Sequence, residues 1–301
     1  MWARRMSQYD RSCWIGLGLW IFVFLRAPVQ AQDEVRNFRT PVLMVETGGH
    51  HARVRSLLWQ DNSTLISGGE DKVVKVWDFR EGEPRLARSI RPMIWQGPAG
   101  IIYAMAVSPR PDAQGQSFLA VAGYGIEAHR GDITVFRIPG VERIPTGEVV
   151  TRKVPPPDGQ PGATGHTNVV TSLAFNPTGS ILASGGVDQT IILWDVPSFH
   201  PRAVLRGHTG GIRTLGFSPD GSRLASAGGD GSLFTWDVAR GVRLDDSVPG
   251  PANRPPNPLN TLAYSADGQS LVVGSENPGL LIRFQVGNIR QPVGQIGRAH
   301  V

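Results

Sequence analysis

Residues 165–195 read GHTNVVTSLAFNPTGSILASGGVDQTIILWD, and two further segments of the chain repeat this pattern. They are residues 49–78, GHHARVRSLLWQDNSTLISGGEDKVVKVWD, and residues 207–237, GHTGGIRTLGFSPDGSRLASAGGDGSLFTWD. Each segment begins with Gly-His and ends with Trp-Asp, and the first is one residue shorter, in the turn around Asp61 to Ser63. Because repetition at a fixed period is typical of folds assembled from similar units, this pattern decides the fold class.

Four kinds of side chain recur at fixed spacing in the three segments. A large aromatic residue stands nine positions after each histidine, an aspartate four positions after a serine, and a tryptophan six positions after that aspartate. The recurrent histidine, serine, aspartate and tryptophan residues are His50, Ser67, Asp71, Trp77, His166, Ser184, Asp188, Trp194, His208, Ser226, Asp230 and Trp236.

Alternating apolar residues between these positions predict short, half-buried strands. Within the middle segment the predicted strands are Val170 to Phe175, Ile181 to Ser184 and Thr190 to Trp194, and Arg202 to Leu205 predicts a fourth, less regular strand. Tight hairpin turns are predicted at Thr178-Gly179, Asp220-Gly221 and Asp267-Gly268.

The pattern resembles the WD40 repeat in its Gly-His opening, its Trp-Asp close and its spacing. The resemblance implies an all-β propeller of four-stranded blades, typically about seven in that family. Two looser segments fit as degenerate blades, in which Phe136 and Phe284 replace the tryptophan. Five blades are then visible, and their expected spans are about 41–80, 95–139, 165–196, 207–238 and 259–286.

Histidine, serine and aspartate together also suggest a nucleophilic triad. An active site needs one such set, whereas here the set recurs in all three clear repeats, always with a tryptophan. The resemblance implies instead a structural chain of hydrogen bonds from indole to serine, from serine to imidazole and from imidazole to aspartate. We therefore expect no catalytic residue. No metal-ligand spacing, phosphate loop or dinucleotide motif occurs, so we also expect no metal and no cofactor.

The resemblance also implies a face on which a protein or peptide binds. Residues three and five after each Gly-His histidine, and the residue before each recurrent aspartate, are expected to point towards it. The predicted partner-binding residues are Arg53, Arg55, Glu70, Ile101, Tyr103, Val169, Thr171, Val187, Arg213 and Asn260. Arginine and tyrosine often anchor interfaces, so Arg53, Arg55, Tyr103 and Arg213 indicate an anionic or mixed polar partner. A solvated rim without a partner is the alternative.

Residues 1–31 have the layout of a secretory signal peptide. Arginines precede the apolar run Cys13 to Leu25, and Val29-Gln30-Ala31 forms a small-residue cleavage site. The apolar run is 13 residues long, whereas a membrane-spanning helix needs about 20. We expect cleavage after Ala31 and export to a periplasm or the medium, with no membrane contact in the mature chain. An uncleaved N-terminal membrane anchor is the alternative.

The charge and the cysteine content narrow the function classes. The net charge is +5, but residues 1–31 contain four arginines and one aspartate, which leaves 26 basic and 24 acidic side chains. Such a balance does not indicate a nucleic-acid partner. The single cysteine is Cys13, so a mature chain without disulfides must be stabilised by a large buried core.

The remaining segments carry weaker predictions. Residues 32–40 are expected to precede the blades, and the strand-like Pro41 to Val45 to complete the last blade. Residues 287–295 are expected to begin a further segment, and residues 296–301, IGRAHV, to be a non-native tail derived from a sequencing adapter at a truncated end. Two Pro/Gly-rich stretches, Pro155 to Gly165 and Val248 to Pro258, predict surface loops.

Taken together, these features predict a non-catalytic, exported protein-interaction scaffold. The alternative is the sensing or targeting region of a longer multidomain enzyme with a peptidase-like or cytochrome-like domain.

Overall fold

A computed structural model describes residues 49–91, 100–111, 116–124, 131, 133–139, 165–244, 257–276 and 279–298. Residues 1–31, residues 32–40 and the strand-like Pro41 to Val45 lie outside the described residues, as do most of the two Pro/Gly-rich stretches. The chain divides into two units, residues 1–49 and residues 50–301, and every strand below belongs to the second unit.

The described secondary structure consists of β-strands in five antiparallel sheets. The first sheet contains β1 (Val54–Trp59), β2 (Thr64–Gly69), β3 (Val74–Asp78) and β4 (Arg85–Ile90). The second contains β5 (Ile102–Val107), β6 (Gln116–Gly123) and β7 (Ile133–Pro139). The third contains β8 (Val170–Phe175), β9 (Ile181–Gly186), β10 (Thr190–Asp195) and β11 (His200–Arg206). The fourth contains β12 (Ile212–Phe217), β13 (Arg223–Gly228), β14 (Leu233–Asp237) and β15 (Val242–Arg243). The fifth contains β16 (Leu259–Tyr264), β17 (Ser270–Ser275), β18 (Leu280–Gln285) and β19 (Asn288–Arg298).

In every sheet, each strand pairs with the strand that follows it in the sequence. This up-and-down order, with four strands in four of the sheets, is the architecture of a propeller blade. The predicted all-β fold of four-stranded blades is therefore confirmed. The second sheet has three strands within its described residues.

The apolar core lies between consecutive sheets, and each interface is filled by side chains from both partners. Ile66 packs with Met105 between the first and second sheets, and Phe118 belongs to one cluster with Trp194 between the second and third. Leu193 and Leu215 share the next cluster, and Leu233 and Phe284 the last. Because second strands such as β9 are buried on both faces, they are apolar or small throughout rather than alternating.

Glycines in the strands allow the sheets to approach closely. A Cβ atom added to Gly185 of β9 would lie 2.5 Å from Cγ2 of Ile212 in the next sheet. The hairpin turns also depend on glycine, since Gly179 and Gly221 have φ angles of 75° and 73° that other residues rarely adopt. Both turns lie where the sequence predicts them.

The outermost strands differ most from the sequence-based boundaries. The first sheet continues to Ile90, beyond the expected end at 80. The third continues to Arg206, beyond the expected end of the blade at 196, and its β11 contains the predicted fourth strand Arg202 to Leu205. Residues 288–298, expected to begin a further segment and to run into a non-native tail, form β19, the fourth strand of the fifth sheet. The physical reason is exposure: strands such as β4 are mostly in solvent, so their sequences lack a clear apolar pattern.

Candidate functional site

Each recurrent set of histidine, serine, aspartate and tryptophan forms one chain of hydrogen bonds. In the third sheet the indole Nε1–H of Trp194 donates to Oγ of Ser184 at 2.8 Å, and this oxygen lies 2.8 Å from Nε2 of His166. Nδ1 of the same imidazole lies 3.0 Å from Oδ2 of Asp188. The first and fourth sheets repeat these contacts, with all corresponding distances between 2.7 and 3.0 Å.

The chemistry of the four groups indicates which atoms donate and which accept in the hydrogen-bond chain. A carboxylate only accepts hydrogen bonds, so the imidazole Nδ1 must carry the proton that faces Asp188. In the neutral imidazole Nε2 is then an acceptor, and the Ser184 hydroxyl donates to it while accepting from the indole. Every polar atom in the chain is thereby paired.

The aspartate joins the chain to two loops. Oδ2 of Asp188 accepts the backbone N–H of Thr167 at 2.8 Å, and Oδ1 accepts that of Thr190 at 3.2 Å. Burial raises the pKa of Asp188, but the bonds from His166, Thr190 and Thr167 outweigh it and hold the pKa below its usual value. In the fourth sheet, burial opposes the bonds from His208, Ser232 and Thr209, which lower the pKa of Asp230 to about 2.

The recurrent serines are closed to a substrate. Ser184 and Ser226 are 0% exposed and Ser67 is 2% exposed. Each hydroxyl oxygen is also occupied by an indole N–H and an imidazole nitrogen. A nucleophilic serine has to reach a substrate carbonyl, and these hydroxyls cannot do so without opening the sheet.

A β-bulge recurs at the same place in all five sheets. The register between first and second strands shifts between Val54 and Ser56, Ile102 and Ala104, Val170 and Ser172, Ile212 and Thr214, and Leu259 and Thr261. The residue that the shift leaves unpaired is the fifth after the histidine in each clear repeat. A bulge redirects the side chain of its extra residue, so each sheet presents the side chain of its unpaired residue at the same position.

A backbone hydrogen bond brings two further residues to each bulge. In the first sheet the N–H of Glu70 donates to the carbonyl of Arg53, two residues before the bulge, at 2.9 Å. The same bond occurs in the other four sheets. We call the fifteen residues so assembled the bulge face. They are Arg53, Arg55, Glu70, Ile101, Tyr103, Tyr124, Val169, Thr171, Val187, Gly211, Arg213, Gly229, Pro258, Asn260 and Glu276.

All ten predicted partner-binding residues belong to the bulge face. Tyr124 and Glu276 also belong to the bulge face but were not predicted from the sequence. The prediction took the residue before each recurrent aspartate, and the second and fifth sheets have no such aspartate. The signal that could have found them is a small residue ending the second strand. Gly123 and Ser275 precede them as Gly69 precedes Glu70.

Contacts between sheets join the bulge residues to one another. The guanidinium of Arg55 lies 5.5 Å from the ring centroid of Tyr103, and the hydroxyl of Thr171 donates to the carbonyl of Ile212. Nη1 of Arg213 donates to Oδ1 of Asn260 and lies 2.6 Å from Oε2 of Glu276. These pairs join the bulge of the first sheet to that of the second, and the bulges of the third, fourth and fifth sheets to one another.

Two of the three arginines of the bulge face already have carboxylate partners. Arg55 pairs with Glu70 and Arg213 with Glu276. For Arg53, no ion pair occurs within the part of the chain that the structure describes. Between these charged groups the surface is apolar, with Ile101, Val169 and Val187, and the Val187 side chain is 43% exposed.

Two other features are absent from the described ranges. No group of three or more histidine, cysteine or acidic side chains there could hold a metal ion. The same residues include no helix that is long and apolar enough to span a membrane.

The family model described as "WD domain, G-beta repeat" matches residues 42–78, 159–195 and 199–237. These three segments are similar to the WD40 repeat. They contain all three hydrogen-bond chains described above, and the first match begins before the described residues.

Parts of the chain are also similar to parts of curated proteins. Protein groucho of Drosophila melanogaster is 29% identical over 159 residues, which is 52% of this chain and 18% of that protein. WD repeat-containing protein AAC3 of Dictyostelium discoideum is 23% identical over 168 residues, 50% of this chain and 35% of that protein. Protein Mut11 of Chlamydomonas reinhardtii is 55% identical over 31 residues. The chain thus matches well under half the length of these proteins.

Proposed function

We propose that this chain is a non-catalytic scaffold whose WD40 repeats bind a protein or peptide on the bulge face. The observation that carries the proposal is the recurrence of the bulge in all five sheets, including the two without the recurrent histidine and tryptophan. In those two sheets the bulge persists without the hydrogen-bond chain, so it is not a by-product of that chain. Each sheet contributes one bulge to this surface, and a surface spread over several sheets is well suited to contacting an extended partner.

The non-catalytic part of the proposal is supported by the buried serines. Their hydroxyls serve as the central link between indole and imidazole and are out of reach of solvent. The hydrogen-bond chain therefore has a structural role, fastening the Gly-His loop to the turn that follows the second strand.

A partner of mixed polarity fits the bulge face better than a purely anionic one. Arg55 and Arg213 each share their charge with a glutamate, so the surface has little uncompensated positive charge beyond Arg53. The exposed Val187 offers apolar contact between the charged groups. Apolar contact at the centre with charged groups around it is the usual composition of a protein interface.

The proposal includes export of the protein to a periplasm or the medium. Its support is the sequence of residues 1–31, with arginines, an apolar run and a small-residue site in the order of a signal peptide. N-terminal sequencing of the protein recovered from its source tests this. Gln32 as the first residue is the expected result, and a chain that starts at Met1 in the cytoplasm would contradict it.

Peptide selection with matched valine variants tests the binding surface. A displayed random-peptide library is selected on the purified chain, and the enriched peptides are titrated against Val187→Asp and Val242→Asp. Val187 and Val242 are 43% and 49% exposed, and only the first belongs to the bulge face. We expect binding to weaken about tenfold or more in Val187→Asp, because a charge replaces a desolvated contact, and to stay unchanged in Val242→Asp. Equal effects of the two changes would reject the bulge face as the binding surface.

A further inference from the structure

The fourth sheet interrupts the bulge face. At the two positions joined by the recurrent backbone bond, the other four described sheets carry side chains, namely Arg53 and Glu70, Ile101 and Tyr124, Val169 and Val187, and Pro258 and Glu276. The fourth sheet has glycine at both, Gly211 and Gly229. We call the resulting gap the notch. It is bounded by Val187 of the third sheet and by Arg213, the bulge residue of the fourth.

The two glycines are not equivalent. A Cβ atom added to Gly211 would lie 3.1 Å from Cα of Val187, so the close approach of the third sheet leaves little room at this position. A Cβ added to Gly229 would meet no heavy atom closer than 3.7 Å, and Gly229 has no left-handed φ angle. Packing and backbone geometry therefore permit a larger residue at Gly229, and its absence leaves the notch open.

One wall of the notch is apolar and the other is a guanidinium with an available edge. The 43% exposed Val187 forms the apolar wall. At Gly229, the other wall is the guanidinium of Arg213: Nη1 is held by Asn260 and Glu276, while Nε would lie 3.8 Å from a Cβ at Gly229. For Nε and Nη2, the described residues include no hydrogen-bond acceptor. This N–H edge has the geometry that accepts the two oxygens of a carboxylate.

The carboxylates nearest this edge are already engaged. Asp188 and Asp230, which follow Val187 and Gly229 in the sequence, face His166 and His208, and their side chains are only 6% exposed. Val169, Thr171 and Val187 are the third sheet's share of the bulge face, and none is charged. Glu276 is engaged at Nη1, where it fixes the guanidinium in position. The notch thus combines a preorganised cation, an apolar wall and space for one side chain.

We propose that the notch binds an acidic side chain of the partner, with a small aliphatic residue beside it packed on Val187. The carboxylate would pair with the Nε–H and Nη2–H of Arg213. This inference rests on the proposed function, because it assigns a partner chemistry to part of the same bulge face.

A peptide array tests the notch. The array displays Gly/Ser-flanked peptides whose two central residues cover every pair of amino acids, and it is probed with the labelled full chain. We expect aliphatic residues next to Asp or Glu to dominate the bound peptides. Gly229→Leu fills the notch, and Arg213→Gln removes the cation. Each change should weaken the binding of these peptides about tenfold.

Matched variants separate the notch from its surroundings. Gly294→Leu adds the same side chain at an exposed glycine of β19 with no heavy atom within 4 Å of its added Cβ. Arg202→Gln removes an arginine of β11 that lies outside the bulge face, pairs with the carboxylate of Asp195 and is as exposed as Arg213, at 40% against 41%. Both should bind as the unchanged chain does, and thermal melting of all four variants verifies that they fold.

Each outcome decides between the two proposals. Peptides that lose binding in Val187→Asp but keep it in Gly229→Leu would overturn the notch and leave the bulge face as the binding surface. Bound peptides without a carboxylate would likewise overturn the notch. Peptides unaffected by Val187→Asp, or an array without any bound peptide, would overturn both.

Discussion

Ser184 is the residue on which the hydrogen-bond chain of the third sheet depends. Replacing it by alanine leaves the indole of Trp194 without an acceptor and the imidazole of His166 without its second partner, inside a buried sheet. We expect Ser184→Ala to lower the free energy of unfolding by about 1–3 kcal/mol, measured by urea denaturation. Ser198→Ala, at an exposed turn residue, is the control and should change it by less than about 0.5 kcal/mol. If the two variants were equally stable, the hydrogen-bond chain would have no structural role.

The carboxylate of Asp230 makes the stability dependent on pH. Its pKa is lowered from 3.8 to about 2 in the folded chain, so the folded state favours the ionised form. This contribution is complete above pH 3.8 and is lost as the pH falls from 3.8 to about 2. We expect the stability advantage of the unchanged chain over Asp230→Asn to shrink across that interval in urea titrations. An advantage that stays constant with pH would contradict this linkage.

At the scale of the strand, the spacing between sheets depends on glycines such as Gly185. An added methyl group there would lie 2.5 Å from Ile212 of the next sheet, at the centre of a buried cluster. We expect Gly185→Ala to destabilise the chain by about 1–3 kcal/mol in urea denaturation, because a packed interior cannot absorb the overlap. Gly294→Ala, with open space around the added Cβ, is the matched control and should leave the stability unchanged or slightly higher. Similar losses in both would point to backbone effects rather than packing.

The strands also show which elements of secondary structure can be predicted from the sequence. The residues Val170 to Phe175, predicted as a strand from their alternating pattern, form β8 with those boundaries. Strand β6 was not predicted because it lies in a degenerate segment, where the recurrent serine and aspartate do not mark it, and because its residues from Phe118 to Ala122 are buried throughout, which removes the alternation. Of the outermost strands, β11 was predicted in part, as Arg202 to Leu205, whereas β4 was not predicted, for the opposite reason. In β4 exposure leaves no apolar face to recognise.

At the scale of the whole molecule, the repeat itself made the fold predictable, since each apolar cluster lies between two consecutive sheets and needs only its neighbours. Most positions of the bulge face followed from aligning the repeats, with Tyr124 and Glu276 as the exceptions. The ion pairs of the bulge face did not all follow from the alignment. Arg213 and Glu276 belong to two different sheets, so no spacing within one repeat indicates that they pair. Arg55 and Glu70 belong to one repeat, and the alignment placed both on the bulge face without indicating that they form an ion pair.

The most direct test of the central claim, that the bulge face is the binding surface, is hydrogen–deuterium exchange with and without a selected peptide. We expect slower exchange in segments that contain the bulges, such as residues 167–172 and 209–213, because a bound partner excludes water from them. The outer strands β4 and β11 should exchange as in the free chain. Protection confined to the outer strands, with unchanged exchange at the bulges, would contradict the claim.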